Sequence, residues 1–357
     1  MVNSKTLVSI AASLVLCLVT LPVLVSKIWY PSILGFHTSD LLNVDSLERE
    51  GTYYFSYASP FTKEYQYKDN RGAVETGGIS YYNLNELAAS PDAEGHSEHI
   101  LVLIPLINFN SRFFENLFAL TYPKQLIDLG VIVPDSKNAT GILQALQETL
   151  AKVQANDSTR YNKITVLKDD NKWGNTDDPV AYRKQLAALK NQLLFSTLPP
   201  YCSWVLWLDS QITGTPTTLV QDLANHGKAI LTTHIFNNSD GSPDSETLNN
   251  WVASDTWRSL ATGMPHSRVV IEGVSHVYTD RPLMGQFYDA AASVLTEMEL
   301  DSVSTACTLV KAEVHRDGAM FPNFAFHHLV ETEGFARMAR LLKHQAFGLP
   351  NYVVHRG

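Results

Sequence analysis

Residues 100–105 read ILVLIP, residues 129–135 read LGVIVPD and residues 164–167 read ITVL. Each is a short apolar run, and the first two meet a proline at their end. Continuous apolar runs of this length suit strands buried on both faces, as in a parallel sheet with helices on either side. Between them lie helical patterns at residues 113–120 and 140–154. Strand, helix, strand, helix, strand at this spacing predicts an α/β body with a mostly parallel central sheet. Ligands of such sheets sit beyond the carboxyl ends of the strands. That rule points to Pro105, Leu106 and the residues up to Asn108, and to Asp135 and Ser136, as neighbours of a nucleotide. Asp135 has an equal claim as a turn residue ahead of a helix.

Further along, residues 182–195 form a helical pattern with Leu186, Leu189, Leu193 and Leu194 on its apolar face and Arg183, Lys184 and Lys190 on a cationic one. A solvated surface explains such a face. So does a diphosphate, for which the guanidinium of Arg183 offers a fork of donors. Residues 203–208, SWVLWL, read as another buried strand that delivers Asp209-Ser210-Gln211 to the sheet edge. Residues 272–281 read as a loop with His276 and Asp280 at the surface. Trp251 and Trp257 suit core packing or a surface on which a sugar ring stacks.

Near the C-terminus, residues 308–314 read as a strand, residues 315–318 as a charged turn, and residues 352–354 as a short strand carrying His355. Between them Glu331-Thr332-Glu333-Gly334 opens a helix that repeats Phe335, Met338, Ala339 and Leu342 at helical spacing. Acids at a helix start are ordinary capping chemistry. Two glutamates and two histidine-bearing turns in one unit exceed what a cap requires.

The 357 residues are 45% hydrophobic and 18% charged, the balance of a folded chain. A net charge of −9 argues against a nucleic-acid binder, and means that an anionic ligand needs local cations or a metal. The three cysteines are too few for a disulfide framework; Cys202 and Cys307 either pair or stay free in the core. Residues 6–26 carry no charge, and as a helix would span about 30 Å, the thickness of a bilayer core. A cleaved signal peptide competes with a membrane anchor here, but its core is shorter, roughly 7–15 residues, and Leu24-Val25-Ser26 is a poor cleavage site. The expected layout is a tail at 1–5, a transmembrane signal anchor at 6–26, a stem at 27–98 ending in a polar linker at 90–98, and the body at 99–357. Sequons at Asn138, Asn156 and Asn237 agree with a lumenal, N-glycosylated body.

Three C-terminal runs, HRDGAMFP at 315–322, ETEGFARMA at 331–339 and GLPNY at 348–352, stand in order. In these the chain resembles the fungal mannan polymerase family of Golgi α-mannosyltransferases, glycosyltransferase family 62, with a weaker likeness back to about residue 100. The resemblance implies a GT-A-type nucleotide-sugar-binding fold, GDP-mannose as donor, and transfer with retention to a hydroxyl of an acceptor glycan or small molecule. It also implies a Golgi or ER membrane protein with its body in the lumen, and related subunits in a complex; the alternative role is that of a non-catalytic subunit. The implied cofactor is a divalent metal, Mn2+, held by an Asp-x-Asp motif and a C-terminal histidine, which on this sequence fall on Asp209, Gln211 and His355. The chain departs from the family at several of these points. Gln211 replaces the second aspartate, His355 stands one position early with Arg356 in the usual place, and Lys184 replaces the second of two arginines. Asp301 lies in a loop that is richer in glycine in the family, close to donor or acceptor. Glu331 and Glu333 are the candidate acceptor-side or sugar-side carboxylates, one of them a base toward the acceptor hydroxyl. Asp317 is a candidate for binding sugar hydroxyls, or a turn cap with Gly318.

Overall fold

The computed structural model describes residues 61–357 apart from 69, 70, 72, 175 and 176. The expected tail and anchor, and most of the stem, lie outside the described residues. Among the described residues no helix is long and apolar enough to cross a membrane. Two compact units divide the chain at Asn83/Leu84. In the first, β1 (Phe61–Lys68) and β2 (Val74–Tyr81) form an antiparallel hairpin.

The second unit is built on nine strands. These are β3 (His99–Pro105), β4 (Ile127–Asp135), β5 (Lys163–Lys172), β6 (Cys202–Leu208), β7 (Ile212–Gly214), β8 (Ile230–Asn237), β9 (Met298–Leu300), β10 (Cys307–Lys311) and β11 (Ala346–Arg356). Their order is β5-β4-β3-β6-β10-β8-β11-β7, with β9 also on β11. β5, β4, β3 and β6 run parallel to one another. β10 is antiparallel to both β6 and β8, and β11 is parallel to β8. β8 and β11 therefore share the direction of β3 and β6, and the sheet is mostly parallel, as the apolar runs predict.

Along β3, Ile100, Val102 and Ile104 join one core while Leu101 and Leu103 join the other. This period of two on a strand covered from both sides explains why the run shows no polar alternation. The first core is closed by α1 (Ser111–Ala119), α2 (Ala139–Gln154) and α4 (Leu219–Asn225), through residues such as Phe113, Leu146 and Leu223. The second is closed by α3 (Pro179–Thr197), α6 (Ala312–Arg316) and α7 (Glu331–Leu341), through Leu193, Val314 and Phe335. A further helix, α5 (Asp255–Gly263), packs Trp257 against Trp251 in a small third cluster.

Three expectations are corrected. The strand read over 308–314 stops at Lys311, and α6 takes the rest. The short strand at 352–354 is part of the longer β11. Residues 90–98 are not a free linker: Ala93 is in the core, Tyr122 donates to the Glu98 carbonyl at 2.6 Å, and Trp204 Nε1 donates to the Glu98 carboxylate at 2.7 Å. At the start of α7 the chain lies hard against Pro322. A Cβ on Gly334 would stand 2.3 Å from Pro322 Cγ, so no larger residue fits there.

Candidate functional site

The carboxyl ends of β3, β6 and β11 meet around a cavity of about 260 Å³. Pro105 ends β3 and forms one wall with Ile107. The turn after β6 brings in Asp209, Ser210 and Gln211, and the last residue of β11 brings in Arg356. α3 supplies Arg183 and Lys190 from one face, since residues seven apart stand about two turns along a helix. Its start is fixed by Pro179 and by the Asp178 carboxylate, which accepts from Val180 N at 2.9 Å.

Glu331, wholly buried, faces both α3 cations. Its Oε1 accepts from Lys190 Nζ at 2.5 Å and its Oε2 from Arg183 Nη1 at 2.6 Å. Lys190 donates also to Thr305 Oγ1 at 2.6 Å. Burial pushes the Glu331 carboxyl up, but the charges and hydrogen bonds of Lys190 and Arg183 outweigh it and hold the group below its ordinary value. The Glu331 backbone is left-handed, with φ of 54°, a strain of about 1–3 kcal/mol outside glycine. A low-pKa carboxylate with both oxygens engaged is a poor base. The expectation that Glu331 acts on an acceptor hydroxyl is corrected: it positions two cations.

A chain of contacts runs from there across the cavity. Arg183 Nη2 donates to Asn249 Oδ1 at 3.0 Å, and Asn249 Nδ2 donates to Glu246 Oε2 at 3.0 Å. Arg356 Nη1 lies 3.8 Å from Glu246 Oε1 and donates to Asp244 Oδ1 at 2.9 Å. Arg356 Nε donates to Gln211 Oε1 at 2.7 Å, and its Nη2 lies 3.6 Å from Asp209 Oδ2. Burial lowers the affinity of this guanidinium for its proton, but Asp209, Glu246 and Asp244 more than reverse that.

The expected metal ligands are only partly brought together. Asp209 and Gln211 line the cavity, whereas the exposed side chain of His355 packs over Gly214 of β7. His355 and Arg356 are neighbours on β11, so their side chains leave on opposite faces, and it is the arginine that lines the cavity. Among the described residues no group of three or more His, Cys, Asp or Glu is placed to hold a metal ion. Gln211 Oε1 and Asp209 already face a guanidinium, so the donor set does not fit a divalent cation.

The other candidates scatter. Leu106 is buried behind the wall and its amide donates to Ile132 O at 2.9 Å. Asp135 pairs with Lys168 at 3.6 Å, away from the cavity. Asp317 is exposed, accepts from His344 Nε2 at 2.8 Å, and lines neither this cavity nor the one that holds Asp301. Asp301 lines a different cavity, pairs with Arg340, and accepts from Ala253 N at 2.7 Å. Glu333 is also interior: Trp251 Nε1 donates to it at 2.7 Å and Arg281 Nη1 at 3.4 Å. Burial pushes Glu333 up, and Arg281 and Trp251 offset this only in part. Trp251 and Trp257 pack in the third core cluster and also line the cavity that holds Asp301. Asn138 and Asn156 are exposed and Asn237 half-buried; Cys202 and Cys307 are buried and free.

Sequence reasoning missed Glu246 and Asp244, which no pattern marked. It placed Lys190 on a cationic face open to solvent or to a diphosphate but singled out Arg183 and not Lys190 from it, although the spacing of the two held the signal. Arg281, stacked 3.9 Å and 3.7 Å from the rings of Trp251 and Trp257, was hidden in an apparent surface loop.

A family model described as Anp1 matches residues 78–325. The chain belongs to the Anp1 family. Its relatives include the mannan polymerase complex subunit MNN9 of Candida albicans, 41% identical over 291 residues, covering 77% of this chain and 79% of that protein. The mannan polymerase complex subunit mnn9 of Schizosaccharomyces pombe is 40% identical, covering 78% and 86%. The mannan polymerase II complex ANP1 subunit of Saccharomyces cerevisiae is 31% identical, covering 78% and 59%. The likeness to the mannan polymerase family read from HRDGAMFP, ETEGFARMA and GLPNY is thus borne out for this Anp1-family chain. Among solved structures, a mannosyltransferase of Pyrobaculum calidifontis in complex with GDP-Man and Mn2+ is similar at a TM-score of 0.42 and 12% identity, over 75% of this chain and 59% of that one.

Proposed function

We propose that the cavity at the ends of β3, β6 and β11 is the donor site of a GT-A-type mannosyltransferase that takes GDP-mannose and transfers the sugar, with retention, to an acceptor hydroxyl. The observation that carries this reading is the convergence of Arg183, Lys190 and Arg356 on one cleft at the carboxyl edge of the sheet. Guanidinium forks and an ammonium suit diphosphate oxygens, and that edge is where α/β sheets place nucleotides. In this reading Arg356 supplies the positive charge that a metal supplies in other glycosyltransferases. Glu331 holds Arg183 and Lys190 in place, and Asn249 passes the orientation on to Glu246. The names of the relatives support assembly with related subunits. Residues 6–26 support a signal anchor, the sequons at Asn138, Asn156 and Asn237 support a lumenal body, and the family resemblance implies the Golgi or ER membrane.

One observation favours the second reading, a non-catalytic subunit of a mannosyltransferase complex. Each of the three cations already faces an acid: Arg183 and Lys190 face Glu331, and Arg356 faces Asp244. GDP release from GDP-mannose by the purified chain separates the two. Release that falls at least about tenfold in Arg183→Gln supports the enzyme. No release from the unaltered chain, alone or with an acceptor mannoside, leaves the subunit role.

A further inference from the structure

A second cavity, of about 550 Å³, opens on the other side of α7 and is the larger of the two. Three arginines line it, Arg258, Arg337 and Arg340, against one acid, Asp301. Arg258 pairs with Asp255 and Arg340 with Asp301. Arg337 has no hydrogen-bond or ion-pair partner among the described residues, although it is half-buried. Trp251, Trp257 and Phe326 give the cavity aromatic walls.

The segment that shapes this wall is strained. His327 and His328 are both left-handed, with φ of 50° and 67°. Such backbone persists only where its surroundings fix it, and it gathers at ligand sites. The surroundings here are specific: the ring nitrogens of His328 lie 3.1 Å and 2.9 Å from the carbonyl oxygens of Arg268 and Ala261, and its ring stacks on His266. An arginine side chain without a counter-ion, on the wall of a cavity that aromatic residues also line, is complementary to a sugar ring that carries an oxyanion.

We propose that this cavity binds a sugar bearing an oxyanion, phosphate or carboxylate, with Arg337 as its principal charge partner. The cavity shares two elements with the first. α7 sends Glu331 to one and Arg337 to the other, and the loop after β9 sends Thr305 to one and Asp301 to the other. On the donor reading of the first cavity, a sugar bound here is the acceptor. The acceptor role rests on the donor reading of the first cavity; the binding does not.

The test is titration of mannose 6-phosphate, glucuronate and unmodified mannose into the full chain, Arg337→Gln and Arg337→Lys. At least one anionic sugar is expected to bind about tenfold more tightly than mannose, and to lose about tenfold in Arg337→Gln but less in Arg337→Lys. Which of the two binds identifies phosphate or carboxylate as the group recognised. GDP-mannose binding is expected to be unchanged in Arg337→Gln, with equal melting midpoints showing that the variant is folded. Binding of a phosphosugar or uronate without GDP-mannose sinks the donor reading and leaves this one standing. No preference for an anion, no binding of any of the three, or indifference to Arg337→Gln overturns it.

Discussion

Arg356 Nε donates to the side-chain oxygen of Gln211 at 2.7 Å, across the gap between the end of β11 and the turn after β6. The same guanidinium reaches Asp244 at 2.9 Å and stands 3.6 Å from Asp209. One side chain thus ties Asp209 and Gln211, the expected metal ligands, to Asp244. Arg356→Gln is expected to destabilise the fold by about 3 kcal/mol, because Asp244, 9% exposed, loses its counter-charge. Gln211→Ala removes one neutral acceptor from an arginine that keeps its acids, and is expected to cost about 1–2 kcal/mol. Urea denaturation of the two variants checks the order; equal costs contradict it.

Glu331 is the counter-charge for the buried Lys190 and the part-buried Arg183, and its loss is expected to be more damaging. Glu331→Gln leaves Lys190 and Arg183 facing a neutral amide, a loss of about 3–5 kcal/mol. The sign of its pH dependence follows from its depressed folded pKa. Its stabilisation is fully present above the ordinary carboxylate value and fades as pH falls from there through the folded value. Denaturation midpoints below about pH 4.5 should therefore fall less steeply in Glu331→Gln than in the unaltered chain.

His315 gives a second pH limb. Its Nδ1 lies 2.9 Å from the Ala319 carbonyl oxygen, and its Nε2 accepts from Trp207 Nε1 at 3.2 Å, so the ring is held neutral. Burial pulls the group down to about 4, only partly countered by its hydrogen bond to Ala319. The unfolded chain takes up this proton near pH 6.5, before the folded chain does. Stability therefore falls by about 3 kcal/mol as pH drops from 6.5 to 4. His315→Gln should remove about one proton from that slope, measured as urea midpoint against pH.

Arg281 lies between two tryptophans with Glu333 and Glu272 at 3.4 Å and 3.3 Å. Its side chain is fully buried. Arg281→Met keeps the volume but strips Glu333 of its cation, and is expected to cost about 3 kcal/mol. Adding Glu333→Gln should return part of that loss, because the double variant buries no lone charge. A double variant as unstable as the sum of the singles contradicts the pairing.

Much of the fold was legible because its strands are buried on both faces: runs such as ILVLIP in β3 and SWVLWL in β6 have no other ready explanation. The end of β10 was not, since Ala312, Val314 and their neighbours are as apolar in a helix as in a strand. At the site, Asp209, Gln211, Arg183 and Glu331 were found and do line one cavity. Asp244 and Glu246 were not, because they join Arg356 only through contacts far apart in sequence. His355 and Arg356 leave β11 on opposite faces, and which face looks into the cavity is set by the sheet and not by any local pattern. Asp317 looked like chemistry because acids, glycines and histidines crowd turns for structural reasons as well.

The central claim is that Arg356, and not a divalent metal, completes the donor site. The direct test is calorimetric titration of GDP-mannose into the purified chain and into Arg356→Gln, with manganese and with a chelator. The expected result is binding by the unaltered chain that is the same under both conditions and falls at least about tenfold in the variant. Binding that appears only with manganese, or that survives intact in Arg356→Gln, contradicts it.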